Sequence, residues 1–296
     1  MRVLSWSNFI ITGLLITALP TLVAQNSTPN SGSSTQAEFS STDVEQASAG
    51  VNRLEGRYAF ELKGALISDG PSNHAFPSHD AGVIGSFVVD GRGNITSGTL
   101  DFNSSQNRLV ELPFKGSYTL GANGIGTMTW TSTVFNHTFA LYTSQTNDGI
   151  ESATFLENDG AAGFSGFLRR QKISALAGSY RFSFAGETFE TMNTPSEVAI
   201  AGTFDITQSF LQASATILIA SAANTKSVIV TSNAFPTAIT NPDQNGRFKF
   251  TLAFAPNAPI PPVECVGFVV DAQHFVVINV EQPTSQLPFF IGSAED

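Results

Sequence analysis

The sequence predicts an all-β protein of two tandem antiparallel meander units, each closing into a small barrel. Three observations lead there: apolar residues that alternate with polar ones, tight turns of Asp-Gly and Asn-Gly type, and an internal repeat. Alternation at a period of two marks a strand with one buried face. Tyr58, Phe60 and Leu62 alternate with Ala59, Glu61 and Lys63, and Phe248, Phe250, Leu252 and Phe254 alternate with Arg247, Lys249, Thr251 and Ala253. Between such runs stand Asp90-Gly91, Asn123-Gly124, Asp148-Gly149, Asp159-Gly160 and Asn245-Gly246. Glycine supplies the positive φ that short hairpin turns require.

The repeat sets the organisation. Leu54-Glu55-Gly56-Arg57-Tyr58-Ala59-Phe60 returns as Leu176-Ala177-Gly178-Ser179-Tyr180-Arg181-Phe182, and Ile84-Gly85-Ser86-Phe87-Val88 as Ala201-Gly202-Thr203-Phe204-Asp205. Looser echoes pair Phe139-Ala140-Leu141-Tyr142 with Phe268-Val269-Val270-Asp271, and Gly163 to Phe167 with Pro288 to Gly292. The chain of 296 residues is therefore read as two units, 54–172 and 173–296. About 120 residues with seven or eight short strands suit a small up-and-down barrel, which leaves no open sheet edge. Phe210 to Ala223 is ambiguous, since its alanines suit a helix while Thr216, Ile217 and Ile219 suit a strand.

Met1 to Ala24 combine Arg2, an apolar run from Phe9, Pro20 and a Leu-Val-Ala ending. This pattern predicts a secretory signal peptide, and with it a secreted or periplasmic location and no membrane span after cleavage. Residues 25–53 are rich in Ser, Thr, Gln, Asn and Gly, which predicts a flexible linker.

Composition narrows the function. Only 13% of the residues are charged, 42% are hydrophobic, and the net charge is -10. Such a chain folds, but it offers no positive field for nucleic acid. The single cysteine, Cys265, lacks a partner for an internal disulfide and sits in an apolar run without a neighbouring cation, so it reads as a small core residue.

The candidate chemistry is sparse. His74, His79 and Asp80, between the first two strands, offer two imidazoles and a carboxylate to a metal, and so define a metal-dependent enzyme as one alternative. Pro71 and Pro77 disrupt any helical spacing there, and the second unit's counterpart, Glu187 to Glu197, has no histidine. An exposed loop is the simpler reading, and no catalytic, cofactor or metal residue is assigned. His137 is placed near a strand start and His274 in a turn, both solvated. Glu157 and Asp159 lie in a Glu-Asn-Asp-Gly hairpin, and Asp90 to Asn94 lack the distal glutamate of a calcium loop. No Gly-x-Ser-x-Gly elbow and no phosphate loop is present. Asn26, Asn94, Asn103 and Asn136 begin Asn-x-Ser/Thr triplets. Tyr58, Tyr118, Trp130 and Tyr142, all in the first unit, either fill a barrel or line a cavity within it.

The Gly-x-Tyr-x-Phe opening and the Gly85 to Gly98 stretch, with Asp90-Gly91-Arg92-Gly93, resemble uncharacterised secreted bacterial proteins built from glycine-punctuated β units. Kinship with lipocalin-like or avidin-like barrels is architectural analogy. The resemblance implies a fold and carries no catalytic residue. The expected function is a secreted, non-enzymatic binding or structural module without a cofactor. Its partner is an extracellular protein, a glycan or, in the main alternative, a small apolar ligand carried inside a barrel.

Overall fold

A computed structural model describes residues 53–296 except 67–78, 105–106, 147–148, 158–161, 192–193, 208, 222–226, 234–235, 255–259 and 282–287. The proposed leader and linker, residues 1–24 and 25–53, thus lie outside the described residues save for Arg53. Every regular element among the described residues is a β-strand, and every strand pairing is antiparallel.

Eight strands form the first barrel: β1 (Glu55–Leu66), β2 (His79–Asp90), β3 (Asn94–Ser104), β4 (Arg108–Leu120), β5 (Ile125–Thr131), β6 (Asn136–Thr146), β7 (Gly149–Glu157) and β8 (Ala162–Arg170). Each pairs with its sequence neighbour, and β8 returns to β1, so no edge remains. The inward residues are the alternating apolar ones. Tyr58, Phe60, Phe87, Phe114, Trp130, Phe139 and Phe155 form a contiguous cluster, with ring centroids 4.6 Å apart for Phe60 and Trp130 and 4.7 Å for Trp130 and Phe139. The end nearest the chain's entry is sealed, because Tyr118 Oη donates to Leu54 O at 2.6 Å and Tyr58 Oη to Ile150 O at 2.8 Å.

The second meander has nine strands: β9 (Gly178–Thr191), β10 (Thr194–Thr207), β11 (Phe210–Ser221), β12 (Ser227–Asn233), β13 (Thr237–Ala238), β14 (Arg247–Leu252), β15 (Val263–Asp271), β16 (His274–Asn279) and β17 (Phe289–Glu295). β17 pairs with β9, and the ambiguous Phe210 segment is the strand β11, where inward Leu211, Ala213, Ala215 and Ile217 are buried. β12 and the short β13 share one edge of β11, and an Ile239–Phe250 bridge carries the wall on to β14. The place of the one continuous strand β4 in the first barrel is thus taken in the second by two pieces, β12 and the short β13, with the Ile239–Phe250 bridge to β14.

The duplication holds at the level of register. Tyr58 faces Phe87 and Phe60 faces Gly85 across β1 and β2; Tyr180 faces Phe204 and Phe182 faces Gly202 across β9 and β10. The two glycines are required by space. A Cβ on Gly85 would sit 2.4 Å from Thr99 O and 2.6 Å from the Phe60 ring, and one on Gly202 would sit 1.9 Å from Ser214 O. The turns before β5 and β14 match too: Gly124 and Gly246 have φ of 75° and 78°, and their carbonyls accept from Thr143 N and Val269 N. One echo is off by a residue. Phe139 points into the first barrel, whereas Phe268 points out of the second, whose inward positions on β15 are Val263, Cys265 and Val269.

That outward face of β15 to β17 docks on the outside of β1 and β2. Val266, Phe268, Val270, Val276, Ile278, Phe289 and Ile291 pack with Ala59 and Ile84 in a third apolar cluster. Strands buried on both faces carry continuous apolar runs, as in Val266-Gly267-Phe268-Val269-Val270 and Phe275-Val276-Val277-Ile278. Polar links cross the same seam: Arg57 Nη1 donates to Asn245 Oδ1 at 3.0 Å, and Asn103 Nδ2 to Asn279 O at 2.7 Å. Asn103 is fully buried by that bond, so its triplet is out of reach of glycosylation in the folded protein.

At one end of the seam Glu187, nearly buried, accepts from Asp80 N at 3.4 Å and pairs in register with Glu197. Burial, then the Asp80 and Glu197 charges, push its carboxyl up to about 7. A raised carboxyl favours the folded state below its unfolded value of about 4.5, and that contribution is lost as pH rises to 7. Stability is expected to fall over this window by on the order of 1–2 kcal/mol from this group, discounted for partial solvent access. Urea titrations at pH 4.5 and 8 check this: Glu187→Gln should flatten the dependence and be the more stable protein at pH 8. An unchanged slope would exclude Glu187 as its source.

Candidate functional site

At the end opposite the tyrosine seal, the first barrel is not filled. A half-open pocket of about 330 Å³ lies there, within the range of small-molecule sites. Its walls come from strand positions that also make the core: Leu62 of β1, Val83 of β2, Leu100 and Phe102 of β3, Leu109 of β4, Phe139 of β6 and Phe164 of β8. Trp130, on β5, sits between pocket and core, with Phe135 and Val134 from the β5–β6 connection beside it. The described lining is apolar except for Asn107 and His137.

Two polar groups in this wall are informative. His137 Nδ1 lies 2.7 Å from Glu157 Oε1, and the Glu157 side chain is fully buried, with Oε2 accepting from Phe164 N at 3.2 Å. The pair replaces the solvated histidine and the hairpin carboxylate that the sequence suggested. Glu157 ends β7 with its side chain directed inward, so its strand position outweighs the turn signal that follows it. Trp130 is 1% exposed, and its Nε1–H has no acceptor among the described residues. A buried donor left unpaired is costly and uncommon in folded proteins.

None of the described lining residues is a serine, threonine, cysteine or lysine that would act as a nucleophile beside His137. His74 and the side chain of His79 lie outside the described residues, and among the described residues no cluster of three metal-ligating side chains occurs. Cys265 is fully buried, and burial pushes its thiol well up, as a core residue requires.

His274 is a further correction. It opens β16 rather than occupying a turn, is 4% exposed, and stacks on Phe167 with Arg169 Nη1 2.8 Å from its Nδ1. Burial and then the Arg169 charge hold it below the usual histidine range, so it serves as an acceptor in the seam.

A second hollow, of about 560 Å³, runs along the seam past Arg108, Arg247, Lys249 and Glu264. It holds no surplus positive charge. Arg247 and Lys249 both reach Glu111 Oε1, at 2.6 Å and 3.0 Å, and Arg108 Nη1 donates to Val280 O at 3.0 Å.

No protein-family model and no curated protein matches the chain. Solved structures similar over most of its length include the following two. A protein of unknown function from the DUF3598 family of Nostoc punctiforme covers 81% of this chain and 95% of its own, at 10% identity and a TM-score of 0.25. Aeromonas veronii immune modulator A covers 87% and 100%, at 9% identity and a TM-score of 0.22. Neither likeness bears on function at those scores.

Proposed function

We propose that this protein is a non-enzymatic carrier that takes a small apolar molecule into the mouth of its first barrel, with the second barrel as a docked support. The observation that carries the reading is the contrast between the two ends of one barrel: tyrosine hydrogen bonds and Leu54 close one, while the other leaves an apolar pocket of about 330 Å³. Burying a ligand there removes apolar surface on both sides from water, worth about 25 cal/mol per Å². The pocket favours a carried ligand over recognition of a protein or glycan by an outer face. The leader-like residues 1–24 support a role outside the cytoplasm.

The test is binding of a neutral solvatochromic dye to the full chain and to Val83→Trp, which fills the pocket from the β2 wall. Saturable binding by the wild type, weakened at least about tenfold in a Val83→Trp protein that still melts cooperatively, is the expected result. Equal binding by both would place the dye elsewhere and remove the reading.

A further inference from the structure

We infer that acid loosens the seam between the barrels through an exchange of partners at His274: protonation of its Nδ1 displaces Arg169 of the first barrel and leaves the imidazolium to Glu295 of its own. The two nitrogens of this ring look to different barrels. Nδ1 lies 2.8 Å from Nη1 of Arg169, on β8 of the first barrel, while Nε2 lies 3.8 Å from Oε1 of Glu295, the register partner of His274 on β17 of the second. A guanidinium donates and cannot accept, so Nδ1 is the bare nitrogen and the ring's one proton sits on Nε2. That Nε2–H has no acceptor within hydrogen-bond distance among the described residues, in a side chain that is almost wholly buried. The neutral ring is therefore bonded across the seam and just short of a bond within its own barrel.

A second proton reverses this. It arrives from solvent at Nδ1, where two donors then face one another and the imidazolium meets a guanidinium of like charge. Arg169 is the group that yields, because it is exposed, whereas His274 is fixed between β15 and β17 with its ring stacked on Phe167. Burial and then the Arg169 charge keep the ring neutral, while Glu295 and Asp271, facing it from the second barrel, favour its charged form. Arg181, in register with Glu295 on β9, is the other cation on that side. Beside Arg169 stands Glu61 of β1, whose carboxyl burial pushes up against the pull of Lys63 and Arg169. After the exchange each barrel keeps its charges to itself. The seam has then lost a polar link at the end of β17 opposite Glu187, which pairs in register with Phe289.

The sign follows from the neutral ring. Unfolded, His274 takes its second proton near the ordinary value of 6.5; folded, it takes it only at lower pH. Its contribution to stability is therefore complete above 6.5 and is lost as pH falls from there toward the folded value.

Ring ¹⁵N–¹H spectra of the full chain read the exchange directly. At pH 8 the His274 ring should carry its proton on Nε2 alone, and its titration midpoint should rise in Arg169→Met and fall in Glu295→Gln. Glutamine at position 274 still accepts from Arg169 but takes no second proton. Between pH 8 and 5 the wild type should therefore lose at least about threefold in its folding constant relative to His274→Gln, measured in urea. Glu187 and Glu61 are common to both proteins and cancel in that ratio. A ring protonated on Nδ1 at pH 8, or a midpoint indifferent to Arg169 or to Glu295, would overturn the exchange. So would a constant ratio of wild type to His274→Gln over the same range. Arg169→Met replaces an exposed side chain, so the midpoint test stands even where His274→Gln folds poorly.

Discussion

Replacing Arg247 by methionine is expected to destabilise the protein by roughly 3–5 kcal/mol, the range for removing one partner of a buried ion pair. Arg247 belongs to β14 in the second barrel, and its partner Asp101 to β3 in the first. Nε donates to Asp101 Oδ2 at 2.8 Å and Nη2 to Asp101 Oδ1 at 2.9 Å, a two-pronged pair in which the carboxylate is fully buried. Burial alone would lower the guanidinium's proton affinity, yet the Asp101 hydrogen bonds and charge, together with the Glu111 and Asp243 charges, more than reverse that, and the net shift is upward. Asp101 also holds Glu111 N at 3.1 Å, in the one non-glycine residue with positive φ among those described, 55°. Such a conformation persists only where its surroundings fix it. Without the arginine, a desolvated carboxylate faces an apolar side chain. Combining Arg247→Met with Asp101→Leu removes that charge, so the double variant should be less damaged than the single one. Urea unfolding of the set measures both, and a single variant within about 1 kcal/mol of wild type would show that the pair does not secure the seam.

Arg247 also shows where reading the sequence stops. Alternation in Arg247-Phe248-Lys249-Phe250 correctly sends the phenylalanines inward, and for a lone barrel it sends both cations to water. Lys249 does reach the surface, while Arg247 is covered by the other barrel. Period two distinguishes the inside of a barrel from its outside, but not the outside that meets solvent from the outside that meets a second barrel. The missing signal was present in β15 and β16, whose runs are apolar at successive positions. The repeats were legible because register carries them: a phenylalanine stands opposite a glycine in both copies, Phe60 opposite Gly85 and Phe182 opposite Gly202. The pocket was not legible. Trp130 and Phe139 alternate as any core residue does, and only the three-dimensional volume left beside them separates a lining from a filling. Glu157 was hidden by its own context, since Asn-Asp-Gly announces a turn more strongly than it announces the strand that ends there.

Phe268→Ala is the second change of large expected effect, at about 3–5 kcal/mol for truncating a fully buried phenylalanine. Its ring lies outside the second barrel's core and inside the seam, with Val276 and Ile278 of β16 beside Ala59 and Ile84 of the first barrel. The loss should therefore fall on the docking of the barrels rather than on either interior, which keeps its own aromatic cluster. Two outcomes follow from that location. Calorimetry should replace a single cooperative transition by two, because each barrel retains a core while the term that couples them shrinks. Dye binding at the first barrel's mouth should survive at temperatures below the lower transition, since no pocket residue touches the seam through Phe268. Val110→Ala, at an exposed site, is the control and should stay within about 0.5 kcal/mol of wild type. If Phe268→Ala lowers one transition without splitting it, the two barrels share their stability through more than this cluster, and the polar links of Arg247, Arg57 and Asn103 become the stronger part of the seam.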